Sequence, residues 1–298
     1  MRFGIITPVL TQTPGGHARW EAGAGIAEVA EVARAADRLG YDHLTCSEHI
    51  AVPVEVTKVR GGTYWDPLAT FGYLSACTER VRFATYVLVL GYHHPLEIAK
   101  RYGTLDAVSG GRLVLGVGVG TLAEEFDLLG VPFDGRGERA DDALRALRAS
   151  LSQRLPRYAG DHYGFDGVVV DPCALQSRVP VWVGGRTRRS LRRAVELADG
   201  WAPFGLSTTR VAELLSAVEL PAGFDVVISP ATALDPVAEP GRTAQVIGLL
   251  GDIGVTVVAA RFVHHSVSHY IDQLEALCDA RPLELVRTGG VPAAPGAT

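Results

Sequence analysis

Short apolar runs alternate with amphipathic stretches eight times along these 298 residues, and few architectures accommodate such a repeat. Apolar residues three and four apart mark the buried face of a helix, whereas continuous β-branched runs mark strands covered on both sides. These criteria predict strands at 3–6, 43–46, 81–90, 112–119, 179–183, 200–203, 224–230 and 255–262. A helical stripe follows each, from Ile26, Val29, Ala30 and Ala33 to Val267, Ile271, Leu274 and Leu277. Asp66-Pro67 and His94-Pro95 place proline at the first helical position, and Gly40 stands where a left-handed closing residue is wanted. The repeat predicts a (β/α)8 TIM barrel, one domain over 1–287 with a disordered tail over 288–298. In a closed barrel the loops after the strands converge on one mouth, so chemistry is sought there. Three insertions interrupt the pattern: 8–23, expected to fold over the mouth; 121–139, expected at the rim; and 154–178, whose alternation and Asp166-Gly167 turn predict a hairpin outside the barrel.

Composition narrows the function. With 47% hydrophobic and 20% charged residues, the chain can bury one large core or two modest ones, of which one barrel with insertions is the economical choice. A net charge of −5 offers no basic field for nucleic acid, and no apolar run approaches the roughly 20 residues that span a bilayer. Cys46, Cys77, Cys173 and Cys278 are too scattered for a disulfide scaffold or a paired-cysteine zinc site. Met1 runs within two residues into the first strand, leaving no visible leader, so a reduced, cytoplasmic protein is expected.

Three windows carry chemistry. Val183-Gly184-Gly185-Arg186-Thr187 ends the fifth strand and opens an arginine-rich helix. Glycines let backbone approach an anion, the helix N-terminus adds partial positive charge, Arg186 offers a planar fork, and the Thr187 and Ser190 hydroxyls can donate. The competing reading is a tight βα turn with a solvated arginine face. In the second window, Gly118, Gly120 and Ala123 mimic a dinucleotide fingerprint, but a polar loop is expected to follow rather than the required helix. The glycines then leave room for a flat ring at the mouth, or simply for packing at a strand end. The third window, Ser47-Glu48-His49, puts an imidazole beside a carboxylate. His49 becomes a candidate acid or base with Glu48 setting its tautomer, unless it is a core histidine satisfying backbone groups.

The chain resembles the luciferase-like flavin-dependent oxidoreductases, and within them the actinobacterial branch that uses the deazaflavin coenzyme F420. The resemblance runs through Met1 to Gly4, Ser47-Glu48-His49, Tyr92-His93-His94-Pro95 with Lys100, Ser109 to Gly120, Glu124-Glu125-Phe126, Leu129 to Phe133, the 158–172 segment, Val181 to Gly185 and Asp199-Gly200-Trp201. It implies F420, or alternatively FMN, lying over the mouth with its phosphate in the Gly184 to Thr187 cradle and its ring near Trp201, Gly118, Gly120 and Thr121. It implies a non-proline cis peptide at Tyr86-Val87 behind the ring, proton transfer at His49, a small organic substrate and a homodimer. An FMN-dependent member would oxygenate and draw on a separate flavin reductase, whereas a deazaflavin favours hydride transfer. The chain departs from the family at Thr121, where some deazaflavin dehydrogenases carry a carboxylate, and at His93, where arginine is usual.

Other functions compete. A metal hydrolase could gather His49, His93 or His94, and His264 or His265, but the Gly184 cradle would then have no purpose. A Schiff-base aldolase lacks a strand-end lysine, because Lys58 and Lys100 fall elsewhere. A flavin-binding relative without turnover is the non-enzyme alternative. Trp20, Tyr64, Trp65, Tyr92 and Phe204 stand near the expected mouth, either lining a pocket or packing the rim.

Overall fold

A computed structural model describes residues 1–280. Eight parallel strands close on themselves: β1 (Arg2–Ile5), β2 (His43–Cys46), β3 (Arg82–Thr85), β4 (Leu113–Gly118), β5 (Val181–Gly184), β6 (Gly200–Ala202), β7 (Asp225–Ile228) and β8 (Val257–Ala260). Each pairs with its neighbour in sequence, and β8 returns to β1 with Phe3 opposite Val258. A barrel helix follows each strand: α1 (Ile26–Arg38), α2 (Pro67–Ser75), α3 (Pro95–Val108), α4 (Arg136–Ser150), α5 (Arg188–Leu197), α6 (Thr208–Leu215), α7 (Pro240–Asp252) and α8 (Val267–Asp279), with shorter helices at Val54–Arg60 and Ala123–Leu128 in the loops after β2 and β4. The closed eight-strand barrel expected from the repeat is what forms. No helix among the described residues is long and apolar enough to cross a membrane. The tail expected at 288–298 lies outside the described residues.

Strand alternation sorts side chains into two layers. Ala84, Val114, Trp182, Ala202, Val227 and Val257 form one cluster inside the barrel, while Phe83, Leu115, Val183, Trp201, Val226 and Val258 belong to the shell shared with the helices. The indole of Trp182 meets the His43 ring edge-on at 5.1 Å, and that ring occupies the space a Cβ on Gly4 would need. Below this layer the barrel is closed by charge. Asp42 accepts from Arg82 at 2.6 Å, His43 Nδ1 at 2.8 Å and Arg2 at 3.2 Å, and Asp225 accepts from Arg2 and from Trp182 Nε1. Burial alone would raise the Asp42 pKa, but the His43 hydrogen bond and the guanidinium charges hold it far below the usual carboxylate range.

Helix starts follow local chemistry. Asp66 accepts the Ala69 N–H at 2.8 Å ahead of Pro67, and Thr187, Ser207 and Ser266 cap α5, α6 and α8. Gly40 closes α1 with φ +72°.

Several boundaries differ from expectation. The predicted 81–90 strand breaks after Thr85 and resumes as Leu88–Val89, with the cis peptide Tyr86-Val87 between the two pieces. A helix, Ala123–Leu128, does follow the β4 glycines, so the expected polar loop was wrong; strand closure, and not a missing helix, removes the dinucleotide reading. In the 154–178 insertion Tyr158–Ala159 pairs with Gly164–Phe165, so the turn is Gly160 to Tyr163 and Asp166-Gly167 lies beyond it. The first insertion pairs Thr11–Gln12 with Thr63–Tyr64 beside the mouth.

Removing Asp42 leaves two guanidinia and a buried imidazole without their common acceptor. Asp42→Ala is expected to cost about 3 to 5 kcal/mol, read as a lower urea midpoint at unchanged m value. A loss below about 1 kcal/mol would show that the charge plug is dispensable.

Candidate active site at the strand ends

Beyond β2 the chain runs through Ser47, Glu48 and His49, and here the structure corrects the expected pairing. Glu48 turns into the protein, accepting the Val89 N–H and His93 Nε2, each at 2.8 Å. The carboxylate against His49 is Glu125, from the Ala123–Leu128 helix, 2.6 Å from Nδ1. Glu125 is fully buried and satisfied on both oxygens: Oε2 also accepts the Tyr92 hydroxyl at 2.7 Å, and Oε1 accepts Ile50 N–H at 2.6 Å and Ala51 N–H at 3.1 Å. Burial would raise its pKa, but the His49 and Tyr92 hydrogen bonds and the Ala51 N–H outweigh it and hold the carboxyl below its ordinary value. An ionised carboxylate only accepts, so the His49 proton sits on Nδ1 and Nε2 presents its lone pair. Nε2 has no hydrogen-bond partner among the described residues, and Tyr64 meets the ring edge-on at 4.5 Å. In the sequence Glu125 stands out only within the family resemblance. The available signal was a carboxylate in the helical turn after the β4 glycines.

The cis peptide expected at Tyr86-Val87 is present. Ser47 Oγ donates to the Tyr86 carbonyl at 2.9 Å, and the Tyr86 ring reaches the interior cluster with its hydroxyl buried and unpartnered. The Val87 side chain fills the space that Cβ atoms would need at Gly118, 2.7 Å away, and Gly184, 3.0 Å away. At Gly120, with φ +80°, a Cβ would strike Phe126 and Val89. The vacancies at Gly118 and Gly120, expected to seat a ring, are therefore taken by the protein's own side chains. These glycines let the mouth floor close up rather than leaving it hollow.

The fifth-strand corner keeps its expected shape with two corrections. Gly185 has φ +136°, and Thr187 caps α5 by accepting the Ser190 N–H. Arg186, Thr187, Arg188 and Arg189 are all exposed, so the Arg188 and Arg189 N–H groups, which lack intrahelical partners, stand at an open corner. Arg186 lies 5.8 Å over the Phe204 ring. Ser190 cannot serve an anion: its hydroxyl donates to the Thr187 carbonyl and accepts from Thr187 N–H and Trp201 Nε1. Trp201 is wholly buried in the shell behind the corner and so braces Ser190 instead of meeting a ring at the mouth. Thr121 is exposed and accepts from Arg60 at 3.2 Å, while Arg136 Nε reaches the Gly120 carbonyl at 3.1 Å.

The histidines of the metal reading are separately engaged: His49 with Glu125, His93 with Glu48, and His264 accepting from Trp20 Nε1 at 2.9 Å. Among the described residues no group of three His, Cys, Asp or Glu side chains could hold a metal.

His93, where the resemblance leads one to expect arginine, pairs with Glu48. Burial pulls its pKa down, but the Glu48 hydrogen bond and charge, with Glu97 behind them, raise it above 6.5. A raised folded pKa gives stability that is complete below the unfolded value and fades as pH rises through the folded one. Thermal melts should therefore show wild type losing stability relative to His93→Gln as pH climbs above 6.5. Parallel curves for the two proteins would refute the charged pairing.

Comparison with known proteins agrees with the barrel fold. An uncharacterised Mycobacterium tuberculosis protein is 30% identical over 243 residues, covering 78% of this chain and 83% of that one. The F420-dependent glucose-6-phosphate dehydrogenase of Nakamurella multipartita is 30% identical over 184 residues, 59% of this chain and 52% of that enzyme. The monooxygenase RslO1 from Streptomyces bottropensis superposes with a TM-score of 0.75 at 20% identity, covering 94% of this chain and 98% of that one. The luciferase-like monooxygenase family profile matches residues 1–239, and the chain belongs to that family of oxidoreductases and monooxygenases.

Proposed function

We propose that the chain is an F420-dependent oxidoreductase that moves a hydride to or from a small organic substrate, with His49 exchanging the accompanying proton. The observation that carries this reading is the 2.6 Å contact between His49 Nδ1 and the buried Glu125, which leaves Nε2 unpartnered at the strand ends. The open corner after β5 fits a phosphate, with its glycine turn, exposed Arg186 and the Arg188 and Arg189 N–H groups that the Thr187 cap leaves free. Gly185, Arg186 and Thr187 would hold the phosphate, and the mouth above Val87 would face the ring. Kinship with an F420-dependent dehydrogenase supports the deazaflavin.

When bound, the deazaflavin supplies two-electron hydride chemistry at its ring. His49 handles the proton. In the oxidative direction Nε2 accepts the proton of a substrate hydroxyl, and in the reductive direction the Nε2–H returns it. Glu125 keeps the imidazole in one tautomer and stabilises the imidazolium, while its four donors prevent it from swinging away. Tyr92 stays a hydrogen-bond donor, because burial and the Glu125 contact push its pKa well up.

Titration of the protein with F420 and with FMN, followed by ligand fluorescence, tests the cofactor. F420 is expected to bind more tightly, and Arg186→Ala to weaken it by about tenfold. Tight binding of FMN alone would replace hydride transfer with oxygenation. His49→Ala is expected to lower turnover by about 10² to 10⁴ with cofactor affinity kept, and Glu125→Gln to lower it while displacing the pH profile. An unaltered rate in His49→Ala would remove the proton-transfer role.

A further inference from the structure

Hydride transfer gives the 8–23 insertion no task. Its first part is firmly seated, with Val9 and Leu10 buried and Thr11–Gln12 paired to Thr63–Tyr64. Beyond Gln12 the anchoring thins to one side chain. Among the described residues, the hydrogen bonds and ion pairs of residues 13–23 stay within 9–24 except where Trp20 and Glu21 both reach His264, in the loop after β8. Glu21 and His264 also line a cavity of about 570 Å³, and Gly15 and Gly16 line it with them.

The two contacts of His264 differ in kind. An indole N–H only donates, so the 2.9 Å contact with Trp20 Nε1 makes His264 Nδ1 the acceptor and leaves the imidazole proton on Nε2. Nε2 faces Glu21 Oε1 at 3.5 Å. An imidazolium carries a proton on both nitrogens, so neither orientation of the charged ring offers Trp20 an acceptor. Protonation therefore sets two donors against each other on the Trp20 side and strengthens the attraction on the Glu21 side. Glu21 stays with the insertion in either state, since it accepts the Val9 and Ala18 N–H groups at 2.6 and 2.7 Å.

We infer that His264 is a proton-operated latch: neutral, it holds Trp20 and seats residues 13–20 over the cavity; protonated, it releases the indole and lets that segment swing off the cavity, pivoting on Glu21. The latch is independent of which cofactor the mouth takes. Its surroundings keep it closed at neutral pH. Burial disfavours the imidazolium and Glu21 favours it, but His269 and His265 side with burial, and the His264 pKa stands below 6.5. The Tyr270 ring, edge-on at 4.9 Å, stays neutral because burial pushes its pKa well up. Arg261, Arg242, Asp235 and Glu239 line the same cavity.

Nuclear magnetic resonance of the full chain with 15N-labelled tryptophan follows the latch directly, because the signal of Trp20, one of four tryptophans, is the one missing from Trp20→Phe. Acidification from about pH 8 to about pH 4.5 is expected to move that signal in one step with its midpoint below 6.5. Exchange of the indole N–H, corrected for its intrinsic rate, should quicken by at least about tenfold, and Overhauser contacts between the Trp20 and His264 rings should fade over the same range. His264→Asn keeps an acceptor near the Nδ1 position and cannot titrate, so its Trp20 signal should hold still. Trp20→Phe should raise the His264 midpoint by about half a unit to one unit, because the lost bond favoured the neutral ring. A Trp20 signal indifferent to pH, the same titration in His264→Asn, an unmoved His264 midpoint in Trp20→Phe, or release only together with loss of the whole barrel would each overturn the inference. If His264→Asn does not fold, the wild-type titration and Trp20→Phe still decide it.

Discussion

A buried carboxylate must find donors or become neutral, and at the mouth of this barrel that requirement organises everything around Glu125. Its two oxygens draw in two backbone N–H groups from the loop after β2, a hydroxyl from Tyr92 beyond β3 and the imidazole of His49. Three consecutive βα loops are thereby tied to one point. Hydrogen bonds to a charged acceptor are worth about 1.5 to 3 kcal/mol each, enough together to offset the desolvation of one carboxylate. The orientation of His49 follows from this balance, since a ring held through Nδ1 can turn only Nε2 outward.

The glycines around the mouth answer a different constraint. Parallel strands ending side by side leave little depth for a side chain entering from a neighbouring loop. Gly118 and Gly184 yield that depth to Val87, and Gly120 yields it to Phe126 and Val89. Room that seemed available to a ligand is used to lay the β3 and β4 loops flat across the barrel end. A ring placed there would meet a packed apolar floor, with its polar contacts arriving from the periphery.

Most of the fold was legible because helical and strand periodicities record burial directly, and all eight strands fall within or close to the predicted runs. Glu48 and Glu125 show where that legibility stops. Adjacent residues on an extended segment point to opposite sides, so the carboxylate next to His49 in sequence was the one least able to touch it. Its true partner lies 76 positions away, a separation that pattern reading cannot bridge. Trp201 failed for a related reason. Its place within β6 matches expectation, but alternation sends it outward into the helix shell, whereas Ala202 faces the interior. Periodicity therefore assigns a residue to its strand before the face it serves can be known.

His93 illustrates how a departure from a family pattern can preserve its physics. Glu48 is buried and holds the Val89 N–H on one oxygen, so its other oxygen requires a cationic or strongly donating partner. Arginine meets that need at every pH, while histidine meets it as a cation only when protonated, and Glu48 itself raises the His93 pKa to favour that form. The exchange keeps the β2 and β3 loops joined but makes their junction responsive to pH. That junction lies one residue from His49, so the position of its imidazole depends on two carboxylates: Glu125, which grips the ring, and Glu48, which anchors the backbone carrying it.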